Sequence, residues 1–320
     1  MSTGNGLEVL TLGETMVALR GSGPLKLGGS MDLSIAGAES NVAIGLTRLG
    51  HTAGWVGAVG DDEAGELVLR TLRAEGVDVR GATRDAGAPT GLILFEPRLP
   101  EVTRVHYYRA GSAGSRIAPD AVERAFAVGP APRVLHLTGI TPALGPSARD
   151  ACLRALELAR EHGTTVCLDV NFRSRLWSSR DAAAVLRSWI AYVDVLIASD
   201  DELPLCVPEG VLEEEGTAAS AHAKSLLGRG VREVVVKLGA DGATAYTADG
   251  ELHAPARPVR VVDAVGAGDA FVAGYLSALL DGEDVAGRLG RAVTTGAFAV
   301  ASHGDWEGAP TRAELGLLGA

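Results

Sequence analysis

Residues 263–269 read Asp-Ala-Val-Gly-Ala-Gly-Asp, and a long apolar pattern, AFVAGYLSALL, follows directly. Gly266, Ala267 and Gly268 carry little or no side chain, so their backbone N–H groups can close around an anion. The N-terminus of the following helix adds a favourable partial charge. Asp269 stands at the same point. A carboxylate beside a bound phosphate is costly unless it acts. The act that fits is general-base catalysis, with Asp269 taking the proton of a hydroxyl as that hydroxyl attacks phosphorus. The plain alternative is an ordinary Asp at a loop–helix junction. A dinucleotide fingerprint would need a third glycine where Phe271 stands and a place after the first strand, and no GxxxxGK[ST] loop occurs.

Other residues point the same way. The chain has three lysines against 26 arginines, and Lys237 closes an apolar strand pattern beside glycines. Tyr107 and Arg109 are two apart in a strand-like segment, so alternation puts them on one face. Asn171 and Arg173 follow another apolar run and emerge where open α/β sheets bind ligands, at a strand's carboxyl end. Two arginines aimed at one pocket of an acidic protein suggest an anionic substrate, because Arg grips a carboxylate in a bidentate pair. Arg109 also reads as half of a salt bridge in a lid or a dimer, and Arg173 as a contact to donor phosphates.

The elements that must position these residues alternate. Strand-like runs at 7–12, 54–60, 133–137, 165–170, 193–198 and 233–238 are separated by helical patterns. Those patterns fall at 38–49, after a cap at Asp61 or Asp62, near 147–162, at 181–191 and at 218–228. Runs rich in Val, Ile and Leu suit strands covered on both faces, so the expected fold is α/β with a doubly wound, mainly parallel sheet flanked by helices. Residues 14–36 and 90–112 break the rhythm. Their strand-like pieces, at 16–19, at 32–35 and in two neighbouring antiparallel segments within 90–109, are expected to form a small β-sheet lid on a single domain spanning 1–320. Residues 243–254 carry a hairpin signal with Asp249-Gly250 at its turn, and the last 50 residues look mainly helical.

Composition narrows the partners. The formal charge is −11, which disfavours duplex nucleic acid. Cys152, Cys167 and Cys206 are few and widely spaced, so neither a disulfide framework nor a Cys-built zinc site is expected. No signal peptide and no run of ~18 apolar residues is visible, giving the expectation of a cytoplasmic protein with no membrane contact.

Four motifs in order resemble the ribokinase-like (PfkB) carbohydrate kinases: AGAESNVAIGLTRLG at 36–50, GAVGDDEAGELVLRTLRAEGV at 57–77, VKLGADG at 236–242 and DAVGAGDAFVAG at 263–274. The resemblance implies ATP and Mg²⁺ as cofactors, a sheet lid often used for dimerisation, and a homodimer or higher oligomer. It implies Asp269 as the base with the 266–268 amides as the anion hole. Lys237, Gly239, Gly242, Asn171 and Ser199 would lie on the nucleotide side, and Gly37 and Asn41 on the sugar side. Glu202 would order the metal through water. Asn41 also reads as a helix N-terminal residue, and Glu202 as part of a solvated acidic cap. Two positions depart from the family pattern: Ala264 stands where Thr is frequent, and Ser199 where Asn is. HYYRAGSAG and LDVNFRSRLW further resemble 2-keto-3-deoxygluconate kinases, which implies a small acid sugar held by Tyr107, Arg109, Arg173 and Asp305. Asp305 reads equally as part of a helix-terminating turn, and Ile93 stands where those kinases carry an aromatic residue. The expected reaction is phosphorylation of the acid sugar's 6-hydroxyl. A neutral-sugar or nucleoside kinase of the same family, and a non-catalytic nucleotide- or sugar-binding protein, are the alternatives.

Overall fold

The computed structural model describes residues 6–99, 102–208 and 219–318. Along the chain lie β1 (Val9–Leu12), β2 (Met16–Gly21), β3 (Met31–Ala36), α1 (Ala38–Arg48), β4 (Ala53–Val56), β5 (Ala58–Gly60) and α2 (Glu63–Ala74). Next come β6 (Thr83–Asp85), β7 (Leu92–Leu99), β8 (Val102–Tyr108), α3 (Pro119–Ala127), β9 (Val134–Thr138), α4 (Pro146–His162), β10 (Thr165–Asp169) and α5 (Ser179–Trp189). The rest are β11 (Val195–Ser199), α6 (Ala219–Leu227), β12 (Glu233–Lys237), β13 (Ala243–Thr247), β14 (Gly250–Ala254), α7 (Ala267–Leu280) and α8 (Val285–Val300).

The main sheet runs β14-β13-β12-β11-β10-β9-β1-β4. From β4 to β12 neighbouring strands are parallel, and β13 and β14 close one edge antiparallel. Alternation sorts the strand residues between two cores. Leu135, Leu137, Val166, Leu168, Val234 and Val236 meet α3, α4, α5 and α6. Val134, Cys167, Val195, Ile197 and Val235 meet α1, α2, α7 and α8 on the other face. Burial of both faces explains why these strands read as unbroken apolar runs. Parallel strands share one direction, so their carboxyl ends gather along a single edge, and the site lies there.

A smaller sheet, β3-β2-β7-β8, stands against that edge. β2 pairs antiparallel with β3 and parallel with β7, and β7 pairs antiparallel with β8. Its strands fall within 14–36 and 90–112; residues 100 and 101 of the second segment lie outside the described residues, as does residue 218 of the helical pattern expected at 218–228.

Two local readings change, and a third is narrowed to one of its two alternatives. The run 54–60 is two strands, not one. Gly57 lies between them, packed so closely on the Trp55 indole that a side chain would come within 2.0 Å, and β5 pairs with β6 rather than joining the main sheet. The hairpin turn is Ala248-Asp249, because Thr247 faces Gly250 and Gly250 already belongs to β14. The α2 cap is Asp62, whose carboxylate accepts the Gly65 N–H at 2.7 Å. The short helix α3 and strand β6 had no expected counterpart. Among the described residues no helix is long and apolar enough to cross a membrane.

Candidate active site

A cleft of about 1410 Å³ opens between the strand ends and the smaller sheet. Asp269 lies in the first turn of α7, and its side chain reaches the cleft floor. Gly266 precedes that turn at φ 74°, a left-handed conformation that favours glycine. A side chain there would also come within 1.8 Å of the Asp305 carbonyl. The sequence thus has one residue type that lets the loop pass under residue 305 and start the helix.

Asp269 is 9% exposed. Asn41, from α1, donates to Oδ2 at 2.8 Å, and Asn171 approaches Oδ1 at 3.5 Å. Burial pushes the Asp269 carboxyl up to about 7. The Asn41 hydrogen bond opposes this, nearby Asp169 adds to it, and the charges of Lys237 and Arg173 oppose it. A carboxyl tuned near neutrality is suited to accept a proton. Asn171 stands at φ 39°, and among the described residues it is the one non-glycine with positive φ. Asn tolerates that region, and the turn delivers its amide between Asp169 and Asp269. The Oδ1 atoms of Asn41 and Asn171 are buried with no protein donor, which leaves both as acceptors for a ligand in the cleft.

Lys237 ends β12 and donates to Asp169 at 2.7 Å. Burial works against its charge, but Asp169, Glu202 and Asp269 together hold its pKa above the ordinary value. Glu202 accepts the N–H of Phe172 at 2.7 Å and of Ser199 at 3.0 Å, pinning the ends of β10 and β11 together. The Ser199 hydroxyl turns to Asp201 at 2.5 Å. Gly239 and Gly242 lie outside the cleft lining, as does Ala267. Gly239 and Gly242 form the turn after β12 at φ 58° and 95°, and a side chain on Gly242 would strike the Ala254 carbonyl at 2.1 Å.

On the opposite wall, Gly37 packs so tightly that a side chain would lie 2.6 Å from the Glu14 carbonyl. Tyr107 lines the cleft from β8, opposite Ile93 of β7. Arg173 is exposed at the mouth. Arg109 reaches buried Glu14, with Nη2 at 2.5 Å and Nε at 2.7 Å. Asp305 is buried and bonded to Arg20 of β2 at 2.8 Å. Burial pushes Asp305 up to about 7; the Arg20 charge pulls it down, while Glu307 and Asp263 push it up.

Sequence reasoning missed Asp169, Glu14, Glu39 and Arg20. Asp169 carried a signal, being a carboxylate at the end of an apolar strand two residues before Asn171. Glu39 is 1% exposed on the cleft wall, held by the Thr138 and Thr141 hydroxyls at 2.6 and 2.7 Å. Burial raises its pKa against those two hydrogen bonds. Glu14 and Arg20 gave no signal, because their partners lie 95 and 285 residues away.

Comparison with known proteins places these features in context. Residues 7–312 match the family described as pfkB family carbohydrate kinase. The 2-dehydro-3-deoxygalactonokinase of Haloferax volcanii is 35% identical over 93% of this chain and 92% of its own. The 2-dehydro-3-deoxygluconokinase of Bacillus subtilis is 35% identical over 97% of this chain and 94% of its own. The crystal structure of a putative ribokinase II from E. coli in complex with ATP and Mg²⁺ superposes with a TM-score of 0.87 at 25% identity, covering 98% of each chain.

Proposed function

The chain belongs to the pfkB family of carbohydrate kinases, and on that footing we propose that it transfers the terminal phosphoryl group of ATP to the 6-hydroxyl of 2-keto-3-deoxygluconate. Its activity as a phosphotransferase to an alcohol follows from the family. The choice of ATP, of the acid sugar and of the 6-position is our reading. The observation that carries it is the buried Asp269, pushed up to about 7 at the head of α7, with two carboxamides against it and the Gly266–Gly268 loop beside it.

In this reading the sugar lies between the smaller sheet and the strand ends, its 6-hydroxyl against Asp269. Asp269 takes the hydroxyl proton as the oxygen attacks phosphorus. The loop amides and the α7 N-terminus receive the negative charge on the transferred phosphoryl oxygens. Asn41 and Asn171 hold the base in line and keep one acceptor each for the ligands. Arg173 answers the sugar carboxylate. The nucleotide lies along Lys237 and the turn holding Gly239 and Gly242. The smaller sheet acts as a lid that excludes water from the reaction.

Mg²⁺ would supply charge neutralisation on the ATP phosphates. Among the described residues no cluster of three or more His, Cys, Asp or Glu forms a metal cage, which suits an ion held chiefly by phosphates and water. Glu202 fits an outer role. Its oxygens are engaged by backbone N–H groups, yet it lines the cleft and each oxygen keeps a second lone pair for a metal-bound water. Leu33, Leu99 and Tyr108 are exposed on the smaller sheet, which supports a homodimer through it; a monomer by light scattering would remove that part of the reading.

One observation favours a second reading. Of the two arginines the sequence singled out, Arg109 is already paired with Glu14, which leaves Arg173 open to a carboxylate, and a neutral sugar such as fructose needs neither. Both readings are tested by ADP release from ATP with 2-keto-3-deoxygluconate, 2-keto-3-deoxygalactonate, fructose, ribose and adenosine, with phosphorus NMR locating the ester. The acid sugars are expected to lead in kcat/KM by about a hundredfold. A fructose preference would sink the acid-sugar reading and leave the kinase intact.

A further inference from the structure

Arg20 is an unusual residue for its place. In β2, Met16, Ala18 and Arg20 share a face, and with Ala36, Ile93 and Phe95 the first two build the apolar underside of the smaller sheet. A guanidinium ending such a stripe is expensive to bury unless it is paired. Its face lies 4.0 Å from the Phe95 ring centroid, and its edge meets two carboxylates, Asp305 at 2.8 Å and Asp263 at 3.4 Å.

Those carboxylates belong to segments that build the cleft. Asp263 Oδ1 accepts the Val265 N–H at 3.0 Å and so shapes the loop leading to Gly266. Asp305 begins a turn whose three residues all grip the smaller sheet. Asp305 takes Arg20, Trp306 Nε1 donates to the Ile35 carbonyl at 3.2 Å, and Glu307 accepts from Ser34 at 2.5 Å. Asp305 also lines the cleft. Arg20 occupies Oδ1, so Oδ2 is the oxygen available to a ligand.

We propose that Arg20 is a positioning residue that acts through Asp305, holding this carboxylate in place as the acceptor for a sugar hydroxyl. The proposal rests on the reading that Asp305 contacts the sugar. Three charged groups face Asp305: Arg20 from β2, Glu307 from its own turn and Asp263 from the loop before α7. Two are acidic, and Arg20 is the single cation among them. Without it, repulsion and burial drive Asp305 to its protonated form near neutral pH, and the acceptor becomes a donor. Sugar binding then weakens, while the phosphoryl end keeps its geometry.

The test is steady-state kinetics with the preferred sugar, from pH 6.5 to 9, on Arg20→Met, Arg20→Lys, Asp305→Asn and the Arg20→Met/Asp305→Asn double variant. Melting curves and nucleotide binding report the fold. Arg20→Met is expected to raise sugar KM about tenfold at pH 7.5, with kcat and ATP KM within about twofold. Raising the pH should recover much of that loss as Asp305 ionises again. Lys should restore part of it, and the double variant should match Asp305→Asn alone. A pH-independent loss, an equal rise in ATP KM, or additive effects in the double variant overturns the proposal. An unchanged KM in Arg20→Met beside a raised one in Asp305→Asn overturns it while sparing the role of Asp305. An unchanged KM in Asp305→Asn overturns the role of Asp305 and the proposal together. If Arg20→Met does not fold, Arg20→Gln and Arg20→Lys carry the same comparison.

Discussion

At the strand ends, Asp269 is buried among carboxamides, and Lys237, a cation close to it, is committed to Asp169. At the smaller sheet, Arg20 is bonded to Asp305 and Arg109 to Glu14. The first region keeps its carboxyl without a bonded cation. The second sets cation against anion, pair by pair. Burial pushes both Asp269 and Asp305 up to about 7, but among the described residues Asp269 has no cation bonded to it, whereas Arg20 bonds Asp305. Proton transfer needs a group free to change state, and recognition needs one held in a fixed orientation. The two halves of the cleft differ in the way those tasks demand.

The sharpest way to break this comparison is Asp269→Asn. The variant keeps the shape and the Asn41 contact but holds no proton-accepting charge. It should lower kcat about 10³-fold with the nucleotide Kd within about threefold, read by ADP release and calorimetry. Turnover near the native rate would mean that this carboxyl is not the base.

A smaller effect is expected from Arg173→Leu. Arg173 lines the cleft with no salt bridge to a carboxylate among the described residues, so if it answers the sugar as proposed, its loss should raise the acid-sugar KM about tenfold or more and a neutral sugar's KM by less than about twofold. A matching rise in ATP KM would move Arg173 to the phosphates, and the cleft would then divide differently from the way drawn above.

The same contrast explains what could be read without coordinates. Asp269 and the Gly266–Gly268 loop are contiguous, and the proposed anion hole needs only backbone, so spacing alone could carry the reading. Lys237 and Asn171 stood at the ends of recognisable strands. The smaller-sheet side of the cleft is built from pairs joined only by the tertiary fold. Nothing in the neighbourhood of Arg20 announces Asp305, and nothing beside Glu14 announces Arg109. The trade of Arg109 to Glu14 is the clearest case: strand alternation put Arg109 and Tyr107 on one face, but it could not say that a buried glutamate had already claimed the guanidinium. Likewise, the run 54–60 carried strand propensity throughout, and nothing in it shows that β4 pairs with β1 while β5 pairs with β6 in a separate sheet.

The subtlest expected effect concerns pH, and it tests whether the poise of Asp269 is set by its neighbours. A base works deprotonated, so kcat/KM should be half its plateau at about pH 7 and fall about tenfold per unit below that. Asp305 ionises in the same range, so the midpoint alone does not identify the group. Two variants do, because Asp169 and Arg173 are among the main influences on Asp269, whereas those on Asp305 are burial, Arg20, Glu307 and Asp263. Asp169 pushes the Asp269 carboxyl up, so Asp169→Asn should carry the midpoint to lower pH, helped by the release of Lys237. Arg173 pulls it down, so Arg173→Leu should carry the midpoint to higher pH. Opposite shifts identify Asp269 as the titrating base and its neighbours as the cause. A midpoint that stays fixed in both variants would assign the profile to Asp305 or to another group, and the poised carboxyl at the strand ends would lose its claim to the proton.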